Sequence, residues 1–532
     1  MSQLRKIVSS KATYPQTAIY LVAVISASTH VVTTFGAGGP VAVPDVPAYL
    51  SVAQWVFGGK LSENLAFHPG YGILLSPFGW LPGHILHQVA LGFNSLLVGV
   101  AVVQSAALAQ RLGASASTKL LIACIAAIHP SLSSGSRIGW PENLLIVMML
   151  AITLLMLADI SSRWNMIGFL GTATFLIHPR AIVVLIGCVI SGILSKQTKR
   201  LLVGMLPTLI FVGIALQSTG TWPIQRIVAV KSLNDGPNPF SVAFGQLLAV
   251  GAGTAGLALI GFLAGIMTLR HVKRMGQREV ATFFLSVSLA GMLMLGGLVL
   301  AGSNSSDTLL YGRYVDIWSL PLLIVGLQTP FKKVSCRWPL RLLMLYGVIT
   351  FLVLWGASSS TVFAGRRIMT LSLGGLWDIF NGEFVGVALV ALVVTIFPLL
   401  CFIISPSRGK KVAVLLVFAL GISATISNHQ HLAEVGRISA GQTKTAALVG
   451  GQETCLTHDS SSTKPYAVWL YRLQLPKLHH TRLDASQVAQ WCGLYIIASD
   501  SVAVNCAGIQ LVAMEERADW GLWRYPEQGC GG

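Results

Sequence analysis

The residue in this chain best placed to do chemistry is a carboxylate fixed between two prolines. Asp45 lies in Pro44-Asp45-Val46-Pro47, shortly after an apolar run over 16–36. A carboxylate held at a membrane surface can act as a general base if an acceptor hydroxyl comes within hydrogen-bond reach. Asp before x-Pro is also a common helix start, so a capping role is the competing reading. Tyr49 follows one helical turn later, and the same loop continues to His68-Pro69-Gly70-Tyr71-Gly72. Pro and Gly at that density specify turns, and His68 and Tyr71 can offer donors to a sugar or phosphate. Glu63 reads as a solvated loop residue.

The candidate cations are spread along the chain. Arg313 stands in Tyr311-Gly312-Arg313-Tyr314-Val315-Asp316, at the mouth of an apolar helix. An arginine there is costly unless it snorkels or finds an anion. Asp316, three residues on, offers a local ion pair. The alternative is a lipid phosphate held in the guanidinium fork, to which Tyr311 could contribute. Arg180 follows the helix-breaking His178-Pro179, Arg137 precedes Glu142 in 136-SRIGWPENLL, and Arg366-Arg367 form a further pair. Several such cations around one cavity suit an anionic lipid headgroup.

The elements that must position these residues are membrane helices. The chain is 54% apolar and 10% charged, too apolar and too poor in charge for a soluble domain. Thirteen apolar segments are expected, over 16–36, 84–110, 119–136, 142–158, 165–177, 181–195, 201–217, 243–269, 280–301, 313–328, 341–357, 384–404 and 411–427. With the N-terminus placed in the cytoplasm, alternate loops hold 20 of the 36 basic residues against two acids, Asp159 and Glu279. Lys/Arg retention on the cytoplasmic side sets topology. The net charge of +17 is therefore a topology signal and not a nucleic-acid footprint. The basic start and first apolar run read as an uncleaved first span, a cleaved signal peptide being the rival. The short fifth and sixth segments meet at His178-Pro179-Arg180 and should form a pair with its apex near the outer surface or within protein. In the first long loop, Tyr49, Leu50, Val52, Trp55, Val56 and Phe57 make a short amphipathic stretch suited to the membrane interface.

Two domains follow: a transmembrane part over 1–428 and an exported tail over 429–532. The tail has ordinary polarity and two stretches of strand-like alternation, 466-YAVWLYRL and 494-LYIIAS. Four of the eight cysteines, Cys455, Cys492, Cys506 and Cys530, are confined to it. An even set in an exported segment reads as two disulfides, in any of three pairings. Cys124, Cys188 and Cys401 lie in apolar spans and Cys336 in a cytoplasmic loop.

The order of these features resembles the GT-C superfamily of polytopic glycosyltransferases over roughly residues 10–430. Its carriers are Asp45 with Tyr49, the HPGYGILLSP return segment, WPENLL, HPRA and YGRYVDIWSLPLL. The last is most similar to actinobacterial members, which often have an exported C-terminal domain. The resemblance implies an α-helical membrane protein of the plasma membrane with a small exported β-containing domain. It implies an inverting enzyme that moves a sugar, arabinofuranose or mannose by association, from a polyprenyl-phosphate donor to an envelope glycan or glycolipid on the outer face. Asp45 would be the base. Arg313, Arg180 and His178 would meet the donor phosphate, and Tyr49, His68, Tyr71, Glu142 and Tyr311 would line the substrate site. Many members carry paired acids in the first loop. Asp45 stands alone here, so no metal or other cofactor is indicated.

Two other classes compete. A secondary transporter or flippase would show repeated halves with helices broken at mid-membrane. This chain has no detectable repeat and gathers its polar groups at one surface. A non-catalytic scaffold binding envelope glycans through its tail would leave the placement of Asp45 and Arg313 without a purpose.

Overall fold

The computed structural model describes residues 2–43, 45–61, 68–160, 162–220, 239–300, 309–310, 312–329, 347–348, 350, 371–381, 383–451, 453–484, 487, 492–500 and 508–525. Tyr311, Glu63, Arg366, Arg367, Cys336, Cys506, Cys530, most of segment 341–357 and residues 221–238 lie outside the described residues. The helices in chain order are α1 (Ser2–Thr34), α2 (Asp45–Trp55), α3 (Gly70–Leu75), α4 (Gly83–Arg111), α5 (Ala116–Ala127), α6 (Pro130–Ile138), α7 (Glu142–Met156), α8 (Arg163–Ile177), α9 (Ile182–Leu194) and α10 (Thr198–Thr219). They continue with α11 (Pro239–Gly253), α12 (Leu257–Met267), α13 (Gln277–Leu300), α14 (Asp316–Gln328), α15 (Gly374–Ile379), α16 (Phe384–Ile404), α17 (Pro406–Gly441) and α18 (Pro465–Gln474).

This is a multi-pass membrane protein. Among the described residues seven helices are long and apolar enough to cross a bilayer, or eight if a bent pair counts as one span. Helices α7 and α14 are only 15 and 13 residues long. At about 1.5 Å per residue they fall short of the roughly 30 Å hydrocarbon core. Most of their residues are buried against other helices. The expected single span over 243–269 is corrected: α11 and α12 meet at 118°. Ala255 and Gly256 carry φ of 47° and 79°, a left-handed step that ends α11, and a Cβ at Gly256 would lie 3.0 Å from the Thr395 carbonyl. The expected break between α8 and α9 is present, as a short 3-10 turn over Pro179–Ala181.

The first long loop also differs from its amphipathic reading. Every residue from Val46 to Gln54 is buried, Tyr49, Leu50 and Val52 included; only Trp55, Val56 and Phe57 are exposed. Helix α2 packs against α3 and α4 and is covered on another side by α18 of the tail.

That tail is a five-stranded mixed sheet, β1 (Cys455–Asp459), β2 (His479–Leu483), β3 (Tyr495–Ala498), β4 (Gln510–Met514) and β5 (Gly521–Arg524), in the order β2-β1-β3-β5-β4. β1 runs parallel to β2 and β3, and β5 is antiparallel to β3 and β4. The stretch 466-YAVWLYRL is helix α18 and not a strand: Pro465 opens it, and Ala467, Leu470 and Tyr471 bury one helical face. Tyr495–Ala498, from the second stretch, is strand β3 as expected. Cys455 and Cys492 form a disulfide. Helix α17 continues beyond residue 428 to Gly441 before the sheet begins. Contacts between Lys60 and Pro476 and between Gln54 and Leu473 dock the C-terminal domain on the first long loop, so both lie on one face of the membrane.

Candidate active site

Four charged side chains from four separate elements converge. Asp45 is the first residue of α2, which starts with a backbone bond from Val46 N–H to Ala42 O. Glu142 opens α7, where the positive end of the helix dipole favours a carboxylate. It is delivered by a tight return: Gly139, at φ 74°, ends α6, and Trp140-Pro141 leads into α7. Arg180 sits in the 3-10 turn between α8 and α9, and Arg313 in a second 3-10 turn just before α14.

Arg313 bridges the two acids. Its Nε donates to Glu142 Oε1 at 2.7 Å, and its Nη1 donates to Asp45 Oδ2. Arg180 Nη2 donates to the same Glu142 Oε1 at 2.9 Å. The guanidinium of Arg313 lies 4.0 Å from the centre of the Trp140 ring, and that of Arg180 lies 5.2 Å from the Tyr314 ring. Both are cation–π platforms of the kind arginine favours. Two acids and two guanidinia make the cluster formally neutral, which limits the cost of burying it.

Burial separates the four. The side chains of Arg180, Arg313 and Glu142 are 3%, 4% and 5% exposed, whereas Asp45 is 16% exposed. Asp45 is thus the one partly open member of the four. Nε and Nη1 of Arg180 are buried without a hydrogen-bond partner among the described residues, as is Oε2 of Glu142.

Around this network the remaining sequence candidates divide. Tyr49 lies close enough to feel the charge of all four groups, and its ring meets Tyr71 edge-on at 5.6 Å. Tyr71 OH donates to Asn94 Oδ1 at 3.2 Å, so its hydroxyl is turned into the framework. His178 closes its own turn, Nδ1 accepting the Arg180 N–H at 3.2 Å; that ring nitrogen orients Arg180. His68 is tied to the end of α8, with Nδ1 2.5 Å from Phe175 O and its ring edge-on to Phe175. Arg137 does not pair with Glu142: it donates to Thr33 O, and its Nη2 lies 2.7 and 2.8 Å from the ring nitrogens of His429. The local Arg313–Asp316 ion pair is not formed either. Asp316 is buried beside Ser131 and Ser372, while Arg313 is drawn to the two acids already described.

Three supporting residues escaped the sequence reading. Asn94 Nδ2 donates to Gly135 O at 3.0 Å and Trp140 O at 2.7 Å, pinning the return that presents Glu142. Asn143 Nδ2 bonds Leu132 O and Asn94 O, and Trp140 is the platform under Arg313. A polar amide such as Asn94 within an apolar span was the available signal, because it persists there only if it is paired. Among the described residues no three His, Cys, Asp or Glu side chains form a group suited to a metal ion.

Two crystal structures of ArnT from Cupriavidus metallidurans share the architecture. The apo form matches with a TM-score of 0.54 and 13% identity, over 97% of this chain and 98% of that one. The form bound to undecaprenyl phosphate matches with a TM-score of 0.52 and 13% identity, over 96% and 99%. The chain has the fold seen in these two ArnT structures. No protein-family model and no curated protein matches the chain. At this identity the likeness lies in the fold alone, and it extends through the C-terminal domain as well as the helices. The role of each residue in this chain therefore rests on its own geometry.

Proposed function

We propose that the protein is an inverting glycosyltransferase that uses a polyprenyl-phosphate sugar as donor and an envelope glycan or glycolipid as acceptor, with arabinofuranose or mannose as the sugar. The observation that carries this reading is the buried Asp45–Arg313–Glu142–Arg180 network, in which the sole partly open member is a carboxylate. The retention of basic loops in the cytoplasm supports a reading in which the face bearing this network and the C-terminal domain lie outside the plasma membrane. A donor with a long lipid tail needs a membrane groove, which a GT-C fold supplies, and the ArnT structure with undecaprenyl phosphate supports that class of donor.

Chemically, Asp45 Oδ1 takes the proton of the acceptor hydroxyl as that oxygen attacks the anomeric carbon. The bond from the anomeric carbon to the phosphate oxygen breaks, and the charge that develops on the phosphate is met by preorganised guanidinium donors. Arg180 has the spare donors for this task, and Arg313 supplies charge while holding Asp45. A single displacement inverts the anomeric centre.

The test is transfer by the purified protein in detergent, offered polyprenyl-phosphate arabinofuranose and polyprenyl-phosphate mannose with envelope glycan acceptors. The expected result is a new glycosidic bond of inverted configuration and release of polyprenyl phosphate. Failure with both donors, together with movement of intact donor across proteoliposomes, would replace this reading by that of a flippase.

A further inference from the structure

The C-terminal domain touches the helix that begins with Asp45, and the contact is specific. Gln54, nine residues beyond Asp45 on α2, is 2% exposed, and its Nε2 donates to Leu473 O at 3.1 Å. Leu473 lies in the last turn of α18, where backbone carbonyls have no partner within the helix. Gln54 therefore caps α18 from outside the domain. The same carbonyl abuts the start of α4: a Cβ at Gly83 would fall 2.0 Å from Leu473 O. The Leu473 side chain is 2% exposed and belongs to the core of the helical domain, whereas Tyr471, Leu456 and Ile497 form the core of the sheet domain. Lys60 N–H adds a second tie, to Pro476 O at 2.8 Å. From the other side Gly79 packs so closely on α2 that a Cβ there would lie 2.0 Å from Ala53 O.

We infer that α18 of the C-terminal domain positions the catalytic carboxylate, with Gln54 as the positioning residue that couples the two. This rests on the proposed role of Asp45. An eleven-residue helix behaves as a rigid rod, with Gln54 about 13 Å along its axis from Asp45. A shift at the clamped end is carried to the carboxylate. Misplacement of a reacting group by about 1 Å costs up to roughly 10²-fold in rate. Arg180 and Glu142 are held by other elements and by each other, so the donor side of the site meets this clamp only through the Arg313–Asp45 pair. The domain is thereby a working part of the site and not an appended module.

Two substitutions act on Leu473 O from opposite sides. Gln54→Met keeps length and removes the donor; Gly83→Ala pushes the carbonyl away and leaves Gln54 intact. In full-length protein both should lower kcat by roughly 10- to 100-fold while donor KM and donor binding stay at wild-type values. Both should also speed amide exchange over residues 46–54 and leave α7 and α14 unchanged. Wild-type kcat in folded Gln54→Met, or unchanged exchange over 46–54 in both variants, would overturn the inference. If wild-type protein transfers no sugar, the functional reading fails, and the exchange measurement alone then decides whether the domain clamps α2.

Discussion

Asp45 and Arg313 stand 268 residues apart in the chain and form an ion pair. Arg313 in turn holds Glu142 through its Nε, so one guanidinium fixes two carboxylates that arrive on different helices. A charge shared in this way sets the orientation of the one acid that is partly exposed.

The two arginines should separate by substitution. Arg313→Ala strips Glu142 and Asp45 of a shared partner in a buried site, where breaking such a pair typically costs about 3–5 kcal/mol. Stability, donor binding and turnover should all fall. Arg313→Lys keeps the charge but cannot reach both acids through a planar fork, so turnover should fall even where folding is restored. Arg180→Lys, which retains one donor for Glu142, should chiefly raise the donor KM. Thermal unfolding alongside steady-state kinetics checks all three.

The framework makes its own prediction. Asn94→Ala removes the partner of Tyr71 OH and frees the carbonyls of Gly135 and Trp140. Leaving buried polar groups unpaired costs about 1–3 kcal/mol apiece. The thermal midpoint should drop, and because the Trp140–Pro141 return carries Glu142, transfer should weaken as well. Asn94→Asp, which keeps the acceptor for Tyr71 and loses both donors, should rescue neither the return nor transfer.

In the C-terminal domain, His458 on β1 and His480 on β2 are buried with Nε2 and Nδ1 3.0 Å apart. Burial is the main cause that holds His458 well below the ordinary histidine value of 6.5, with His480, Arg472 and Arg482 adding to it; burial also lowers His480 to about 4, opposed by its bond to Leu475 O and assisted by Arg472, His479 and Lys60. Both rings are therefore neutral in the folded domain. The unfolded chain binds protons first, so stability is lost as pH falls from about 6.5 towards 4, by roughly 1 kcal/mol per pH unit for each ring. Calorimetric unfolding of the domain between pH 7.5 and 5 should show this slope, and His480→Gln should flatten it.

The Cys455–Cys492 bond spans 37 residues and ties the start of β1 to the approach to β3. Closing a loop of that size stabilises a domain by about 2–4 kcal/mol. Paired Cys455→Ser and Cys492→Ser replacement should lower the unfolding midpoint of the C-terminal domain and leave the spanning helices folded, as read by proteolysis and calorimetry.

The charged residues of the candidate site are legible in the sequence because charges are few and costly in an apolar chain. Asp45, Glu142, Arg180 and Arg313 stand out on that ground alone. Their pairing is not legible, since Asp316 is the nearest acid to Arg313 along the chain and the partners chosen open two helices remote from it in sequence. Helix α2 reads as an interfacial stretch because the element that covers it, α18, belongs to another domain more than 400 residues away. The bend between α11 and α12 hides inside a continuous apolar run, where hydropathy is blind to a left-handed step at Ala255-Gly256. Short buried helices such as α14 look like spans for the same reason: apolar composition reports burial, whether in lipid or in protein.

Asp45→Asn isolates the transfer of the acceptor's proton to Asp45. Asn keeps the size of the side chain, caps a helix start as well as Asp does, and cannot accept a proton at neutral pH. General-base catalysis is typically worth about 10²–10⁴-fold, so transfer should fall by at least that order, while Asn, which still accepts a bond from Arg313 but lacks the charge, should lower the thermal midpoint far less than Arg313→Ala does. Wild-type transfer rates in folded Asp45→Asn protein would contradict the assignment and leave Asp45 as the opening residue of α2 and a counter-ion for Arg313.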